Sequence, residues 1–300
     1  MPFSRKVIVI FFFIIPAIYY AGLITHFTFD FFAYVHLWKA YNALAISMLE
    51  GKLDVSFEAI GRESTYYNGK VYFYYGYLPV LLRLAVAPFL DLNVFVLSKI
   101  SVWSMTTIGA ALLQYALIYY SSPKVSKNQW DFVSKTKLVL LSLVVWIGSA
   151  HFIIAQKGDI YHEPYAAMLM LSSAFIVMVY RDVFWDFKSR RYRLVLYALL
   201  AALCVHTRQT VAVSLYFAVI ALMVMQTIDV IKSSESGNKS ISLKIVIYEF
   251  VRQSYKPLFV LFLGGALLLI LNYLRFEDLF SMAKGQYGYA RAGEGSVSYT

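Results

Sequence analysis

The sequence predicts an all-α polytopic membrane protein, with about seven transmembrane helices and amphipathic interfacial helices in its first outer loop. Three observations predict it. Hydrophobic residues make up 60% of the chain and charged residues only 15%, with a mean hydropathy of +0.62; a soluble domain carries about 25% charged residues. The apolar residues fall in runs that reach bilayer-crossing length, which takes about 18 or more residues with few charges. The basic residues, which set a net charge of +10, are confined to short connections between those runs, the pattern of the positive-inside rule. That confinement excludes nucleic acid as the partner and makes membrane lipids the surroundings. Residues 1–300 read as one transmembrane domain.

Spans are expected at 7–25, 94–120, 138–155, 164–180, 193–205, 209–227 and 257–273. Arg5 and Lys6 precede the first, which puts the N-terminus in the cytoplasm. That first run is longer than a signal-peptide core and lacks a small-x-small cleavage site, so it reads as an uncleaved span. Alternate crossing then places three further basic groups inside: Lys124, Lys127, Lys135 and Lys137; Arg181, Lys188, Arg190, Arg191 and Arg193; and Lys232, Lys239, Lys244, Arg252 and Lys256.

Two segments are settled by that parity. Residues 77–92 are apolar but broken by Pro79, Arg83, Pro88 and Asp91; as a span they would turn every later basic loop outward, so an interfacial helix is expected. Residues 193–227 could form one long helix, but a hairpin turning at 206–209 keeps both flanking basic loops inside. Its first arm, about 13 residues or ~20 Å, falls short of a hydrocarbon core of about 30 Å. Two outer segments result, 26–77 and 274–300. The second ends among Gly285, Gly288, Gly293 and Gly295 and reads as a loop cut short. Cys204, the single cysteine, lies in an apolar run and reads as a small buried residue.

The outer face collects the residues that could carry chemistry, because charges at a helix mouth are costly and default to function. Asp30 follows the first span inside the aromatic run 27–32. Desolvated by its neighbours, it would suit a general base; alternatively it caps a helix starting near Phe31. Residues 38–50 read as an amphipathic helix with Trp38, Tyr41, Leu44, Ala45 and Met48 on one stripe, lying flat on the surface and ending at Gly51. Beyond it, Asn68-Gly69 between two aromatic runs signals a hairpin turn. Glu63, Tyr67, Tyr72 and Tyr75 there fit a sugar, whose C–H faces stack on rings, or simply an interfacial loop. Asp159, His162 and Glu163 gather before Pro164. Glu163 reads either as a second catalytic acid facing Asp30 or as a helix N-terminal charge. His151 and His162 lack ligand spacing with a third partner, so no metal site is expected. Arg208, at the turn of the short hairpin, is placed to bind phosphate or to snorkel to the interface.

With these residues in view the chain resembles the polytopic GT-C-fold glycosyltransferases, the group of the protein O-mannosyltransferases and the aminoarabinose transferases. The likeness runs in order through an acid after the first span (Asp30), "ALAISMLEGKLDV", "YYNGKVYFYYGYLPVLLRLAVAPF", "HEPYAAMLML", "LLAALCVHTRQTVAV" and "LNYLRFEDLFSMAKGQYGY". The last stretch is similar to uncharacterised bacterial members. The resemblance implies a multi-pass protein of the bacterial plasma membrane that transfers a sugar from a polyprenyl-phosphate donor to an acceptor on the non-cytoplasmic face. It maps the catalytic base to Asp30 and the donor-phosphate contact to Arg208, with the lipid-linked sugar as donor and no further cofactor. The alternative is a non-enzymatic transporter or a scaffold in polysaccharide export.

Overall fold

A computed structural model describes residues 9–73, 75–120, 132–184, 190–234, 243–281 and 286–287. It is mostly helical. Four helices are long and apolar enough to cross a membrane, at Ser98–Ile118, His162–Asp182, Gln209–Lys232 and Lys244–Phe276. Three shorter apolar helices, Ile10–Ile24, Thr136–Trp146 and Tyr192–Val205, accompany them. Four of the seven expected spans therefore have crossing length.

The first apolar run forms a π-helical turn, Ile10–Ile14, that runs on into α1 (Ile15–Ile24); the Ile15 N–H bonds the Ile10 carbonyl, and Pro16, which has no N–H, sits at the junction where the ladder changes register. The expected outer loop and the expected interfacial helix after it fold as α2 (Lys39–Leu49), α3 (Phe57–Ile60), β1 (Ser64–Tyr67), β2 (Lys70–Phe73) and α4 (Leu78–Val86). Then follow α5 (Ser98–Tyr120), α6 (Phe132–Trp146), α7 (Ala150–Ile154), α8 (His162–Phe184), α9 (Arg190–Val205), α10 (Gln209–Ser234), α11 (Leu243–Phe276) and β3 (Gln286–Tyr287).

Several expectations are corrected. The chain is not all-α: a small sheet in the order β2–β1–β3 joins the hairpin at 64–73 to Gln286–Tyr287, beyond α11. The Asn68-Gly69 turn that closes β1 onto β2 is as expected, with both residues at positive φ (50° and 76°) and Tyr67 opposite Lys70. The run at 138–155 is two pieces, because α6 ends at Trp146 with the Gly148 N–H reaching back to the Leu143 carbonyl (3.2 Å). Helix α9 begins at Arg190, so its 16 residues give ~24 Å, still less than a bilayer core. Helix α11 begins at Leu243 rather than 257 and takes Lys244, Arg252 and Lys256 out of the expected inner loop. Its 34 residues reach ~51 Å. Arg5, Lys6, Lys124, Lys127, Lys188 and Lys239, on which the orientation is argued, lie outside the described residues, as do Gly285, Gly288, Gly293 and Gly295.

Small residues let the helices meet closely, as membrane bundles require. Ala166, Ala167, Ala198, Ala201 and Cys204 are fully buried in the bundle core. A Cβ at Gly264 would lie 2.6 Å from Ala202 Cβ. The outward faces stay apolar, with Phe217 69% and Phe262 68% exposed, as lipid-facing positions should be. A second core sits under the outer loop. There the apolar stripe of α2 packs on protein: Tyr41, Leu44 and Ala45 are buried in one cluster with Phe73, Val80 and Ile160.

One end of the bundle gathers the outer loop and several helix termini. Helices α5 and α8 start together, since a Cβ at Gly158 would lie 2.8 Å from Lys99 Cα, and one at Gly109 3.2 Å from Met170 Cα. Phe31, beyond α1, packs its ring on Trp103 of α5 (5.2 Å). The Leu78 N–H donates to the His206 carbonyl (3.1 Å), which sets the loop on the α9–α10 turn. Gly76 permits that approach, because a Cβ there would lie 2.4 Å from the His206 carbonyl oxygen.

Candidate functional site

Glu163, in the first turn of α8, is fully buried, and so is Arg83 of α4. Their side chains form a two-pronged pair, Arg83 Nη1 to Glu163 Oε2 at 2.5 Å and Nη2 to Oε1 at 2.8 Å. Arg83 also donates to Asn42 Oδ1 (3.3 Å), Ser101 Oγ (3.1 Å) and the Pro79 carbonyl (3.3 Å). Asn42 in turn donates to the carbonyls of Leu92 and Phe95. The network joins α2, α4, α5 and α8. A carboxylate so enclosed and neutralised cannot face a substrate, so the structure corrects the reading of Glu163 as a second acid opposite Asp30. Arg83, read as an interruption in an apolar segment, is its counter-charge.

Beside this pair lies a polar cluster that includes four of the expected substrate-binding residues. Glu63 accepts hydrogen bonds from Tyr75 Oη (2.9 Å) and Tyr161 Oη (2.7 Å). The two tyrosine rings meet edge to face at 5.7 Å. Asp159 accepts the Tyr161 backbone N–H (3.1 Å) and pairs with His162 Nδ1. Partial burial pushes the Asp159 carboxyl up, but these bonds outweigh it and hold the group below the usual carboxylate range. Tyr67 and Tyr72 are elsewhere. Both pack on Phe276 at the end of α11, and Tyr67 Oη donates to Glu277 (3.2 Å). Close by, Arg275 donates to the Phe73 carbonyl (2.8 Å), and burial pushes the Tyr77 phenol up to about 12 against the pull of that guanidinium.

Asp30 is exposed rather than desolvated, and its Oδ1 accepts the Phe32 N–H (3.0 Å), closing a turn where a helix start was expected. The chain reaches it through three non-glycine residues at positive φ, His26, Phe27 and Phe29. Such strained conformations cost about 1–3 kcal/mol each and concentrate at functional sites. Under this loop is Lys99 of α5, 6% exposed, whose Nζ reaches the Asp30 carbonyl at 3.5 Å.

Arg208 lies on the α9–α10 turn with its guanidinium 3.9 Å over the ring of Tyr165 in α8. Its Nε is buried with no hydrogen-bond partner among the described residues. Stacking on a ring orients the cation without neutralising it. Next to it, Val205 and Gln209 begin an apolar groove of about 550 Å³ that runs between α10 and α11 to Ile220 and Gly265.

The residues that sequence reading passed over are Arg83, Lys99, Tyr161 and Tyr165. For the first two a signal existed, a lone cation in an apolar helical segment. For the tyrosines, in a chain with 25 of them, none did. Among the described residues no group of three or more histidine, cysteine or carboxylate side chains gathers as a metal site would require. Compared with protein-family models, curated proteins and solved structures, the chain matches none.

Proposed function

We propose that this chain is an integral membrane glycosyltransferase that moves a sugar from a polyprenyl-phosphate donor to an acceptor on the non-cytoplasmic face. The observation that carries the proposal is the combination at the α9–α10 turn. Arg208 is held over Tyr165 with an unbonded Nε, and its chain neighbour Gln209 lines an apolar groove between α10 and α11. A guanidinium suits a phosphate head and an apolar groove a prenyl tail. From Gln209 to Ile220 the groove follows α10 for ~16 Å.

The seven apolar helices are read as seven crossings of a bacterial plasma membrane, with the N-terminus cytoplasmic and the loop-bearing end outside. Asp30 deprotonates or orients the acceptor hydroxyl, which attacks the anomeric carbon as the bond to the phosphate oxygen breaks. Arg208 stabilises the departing phosphate. The cluster of Glu63, Tyr75, Asp159 and His162 presents hydrogen-bonding groups to a sugar, while Tyr67 and Tyr72 shape the loop. Glu163 positions the mouth of α8 and does not act on substrate.

The test is cysteine accessibility in whole cells, in a Cys204→Ser background. Asp30→Cys and Gln209→Cys should both react with an impermeant thiol reagent from outside. Undecaprenyl phosphate should slow labelling of Gln209→Cys, and an added Arg208→Ala should abolish that protection. Labelling of either position from the cytoplasm alone would refute the topology and the site. Labelling from outside with no protection would favour a scaffold.

A further inference from the structure

The fold satisfies its cations unequally. Arg83 has a carboxylate and three further acceptors. Lys99 is nearly as buried, yet among the described residues it forms no ion pair, and its one hydrogen bond is the 3.5 Å contact to the Asp30 carbonyl. An ammonium carries three donors, so its hydrogen-bonding capacity is largely unused. Its place adds to the strain. Lys99 is in the first turn of α5, a 23-residue helix, where free N–H groups and the helix dipole already set a positive potential. The stem cannot swing aside, because the backbone at Gly158 lies flat on it, with a built Cβ 2.7 Å from Lys99 Cγ. A buried charge without a counter-charge is strongly unfavourable, and a helix N-terminus with an adjacent cation is the arrangement that binds oxyanions.

We propose that Lys99, with the first turn of α5, forms a second anion site, separate from Arg208, which takes a phosphate group beside Asp30. Lysine serves phosphate as a point charge, while the helix N–H groups supply directed donors. The phosphate is carried either by a lipid headgroup or by a soluble molecule. Only its role in transfer rests on the glycosyltransferase reading; binding does not.

The distinguishing property is the sign of the stability change. A lysine kept for structure destabilises the protein when removed. One kept for an absent anion stabilises it, because the uncompensated charge goes. The full chain is purified in dodecyl maltoside, which carries no phosphate, and its Tm is measured with and without inorganic phosphate, and again with phosphatidic acid mixed into the micelle. Lys99→Met should melt above wild type in dodecyl maltoside alone. Phosphate or phosphatidic acid should raise the Tm of wild type, of Arg208→Met and of Lys99→Arg, but not of Lys99→Met. Equilibrium dialysis with labelled phosphate should show at least a ten-fold loss of affinity in Lys99→Gln.

A response to inorganic phosphate assigns the site to a soluble phosphate, and a response to phosphatidic acid alone assigns it to a headgroup; either supports the proposal. It is overturned if wild type responds to neither, if Lys99→Met responds as wild type does, or if Lys99→Met melts lower or does not fold. Undecaprenyl-phosphate protection of Gln209→Cys that survives Lys99→Met leaves the glycosyltransferase reading standing, whichever way the Lys99 site is decided.

Discussion

Removing the Glu163 carboxylate should destabilise the protein rather than disable its chemistry. Arg83 and Glu163 are 1% and 0% exposed at their side chains and share two short contacts. Breaking a buried pair by deleting one partner costs about 3–5 kcal/mol, because the other charge is left uncompensated. Arg83 keeps Asn42, Ser101 and the Pro79 carbonyl, but all three are neutral and cannot offset a full charge. At about 2–4 °C per kcal/mol for chains of 150–250 residues, Glu163→Ala should lower the Tm by about 10 °C. Replacing both partners by apolar residues of similar volume is neutral or even stabilising in comparable pairs. The double variant Arg83→Met/Glu163→Leu should therefore recover most of the loss. The assay is fluorescence-detected size-exclusion thermostability on all four corners of the cycle, with transfer activity measured on each. Activity should track the folded fraction. A Glu163→Gln protein that melts like wild type but transfers no sugar would refute the reasoning and restore Glu163 as a chemical group.

Three further outcomes follow from the same geometry. Gly76→Ala should cost about 1–3 kcal/mol as an overpacked contact, since its Cβ would meet backbone on the His206–Thr207 turn (2.4 and 2.7 Å), which cannot yield; the readout is the Tm and faster proteolysis of the outer loop. Tyr165→Leu removes the ring under Arg208 and should weaken polyprenyl-phosphate protection of Gln209→Cys by about 0.5–2 kcal/mol, whereas Tyr165→Phe should leave it unchanged. Asp159 has a lowered folded-state value, so its contribution is present above the unfolded value of about 3.9 and is lost as pH falls through the folded one. Asp159→Asn should therefore melt below wild type at pH 6 and converge with it below about pH 4; a gap that persisted in acid would show the effect to be packing.

Much of the fold is legible in the sequence because hydropathy and turn chemistry are local. The Asn68-Gly69 turn needs only neighbouring residues and the apolar stripe of α2 only helical periodicity, while the turn before Gln209 is read from the basic loops that flank its two arms. Where the stripe goes is not local: Tyr41 meets Phe73 edge to face at 4.8 Å, a contact decided by the whole outer loop. Hydropathy also hides charged helix. Residues 243–256 look like a loop because of Lys244, Glu249, Arg252 and Lys256. Yet Arg252 and Glu249 pair one turn apart at 2.8 Å and sustain α11 through them. The partner of Glu163 is 80 residues away in sequence, and no spacing rule reaches that far.

The number of hydrogen bonds made, rather than burial, separates the cations that hold this fold from those open to a ligand. Arg275 is 4% exposed and donates to Phe73, Asn272 and Leu271 while its guanidinium lies near the rings of Tyr77 and Phe276. Three of its five N–H groups are used, all by neutral acceptors, whereas Arg83 has a carboxylate as well. Lys99 has one long contact, and Arg208 has a ring and an unbonded nitrogen. Burial alone would group Lys99 with Arg83 and Arg275, and chain position alone would single out only Arg208. Unused donor capacity groups Lys99 with Arg208, and it makes the consequence of substitution opposite in sign. Apolar replacement at Arg83 or Arg275 lowers the Tm whatever anion is present. At Lys99 it leaves the Tm equal or higher until phosphate is added, and only then does wild type gain.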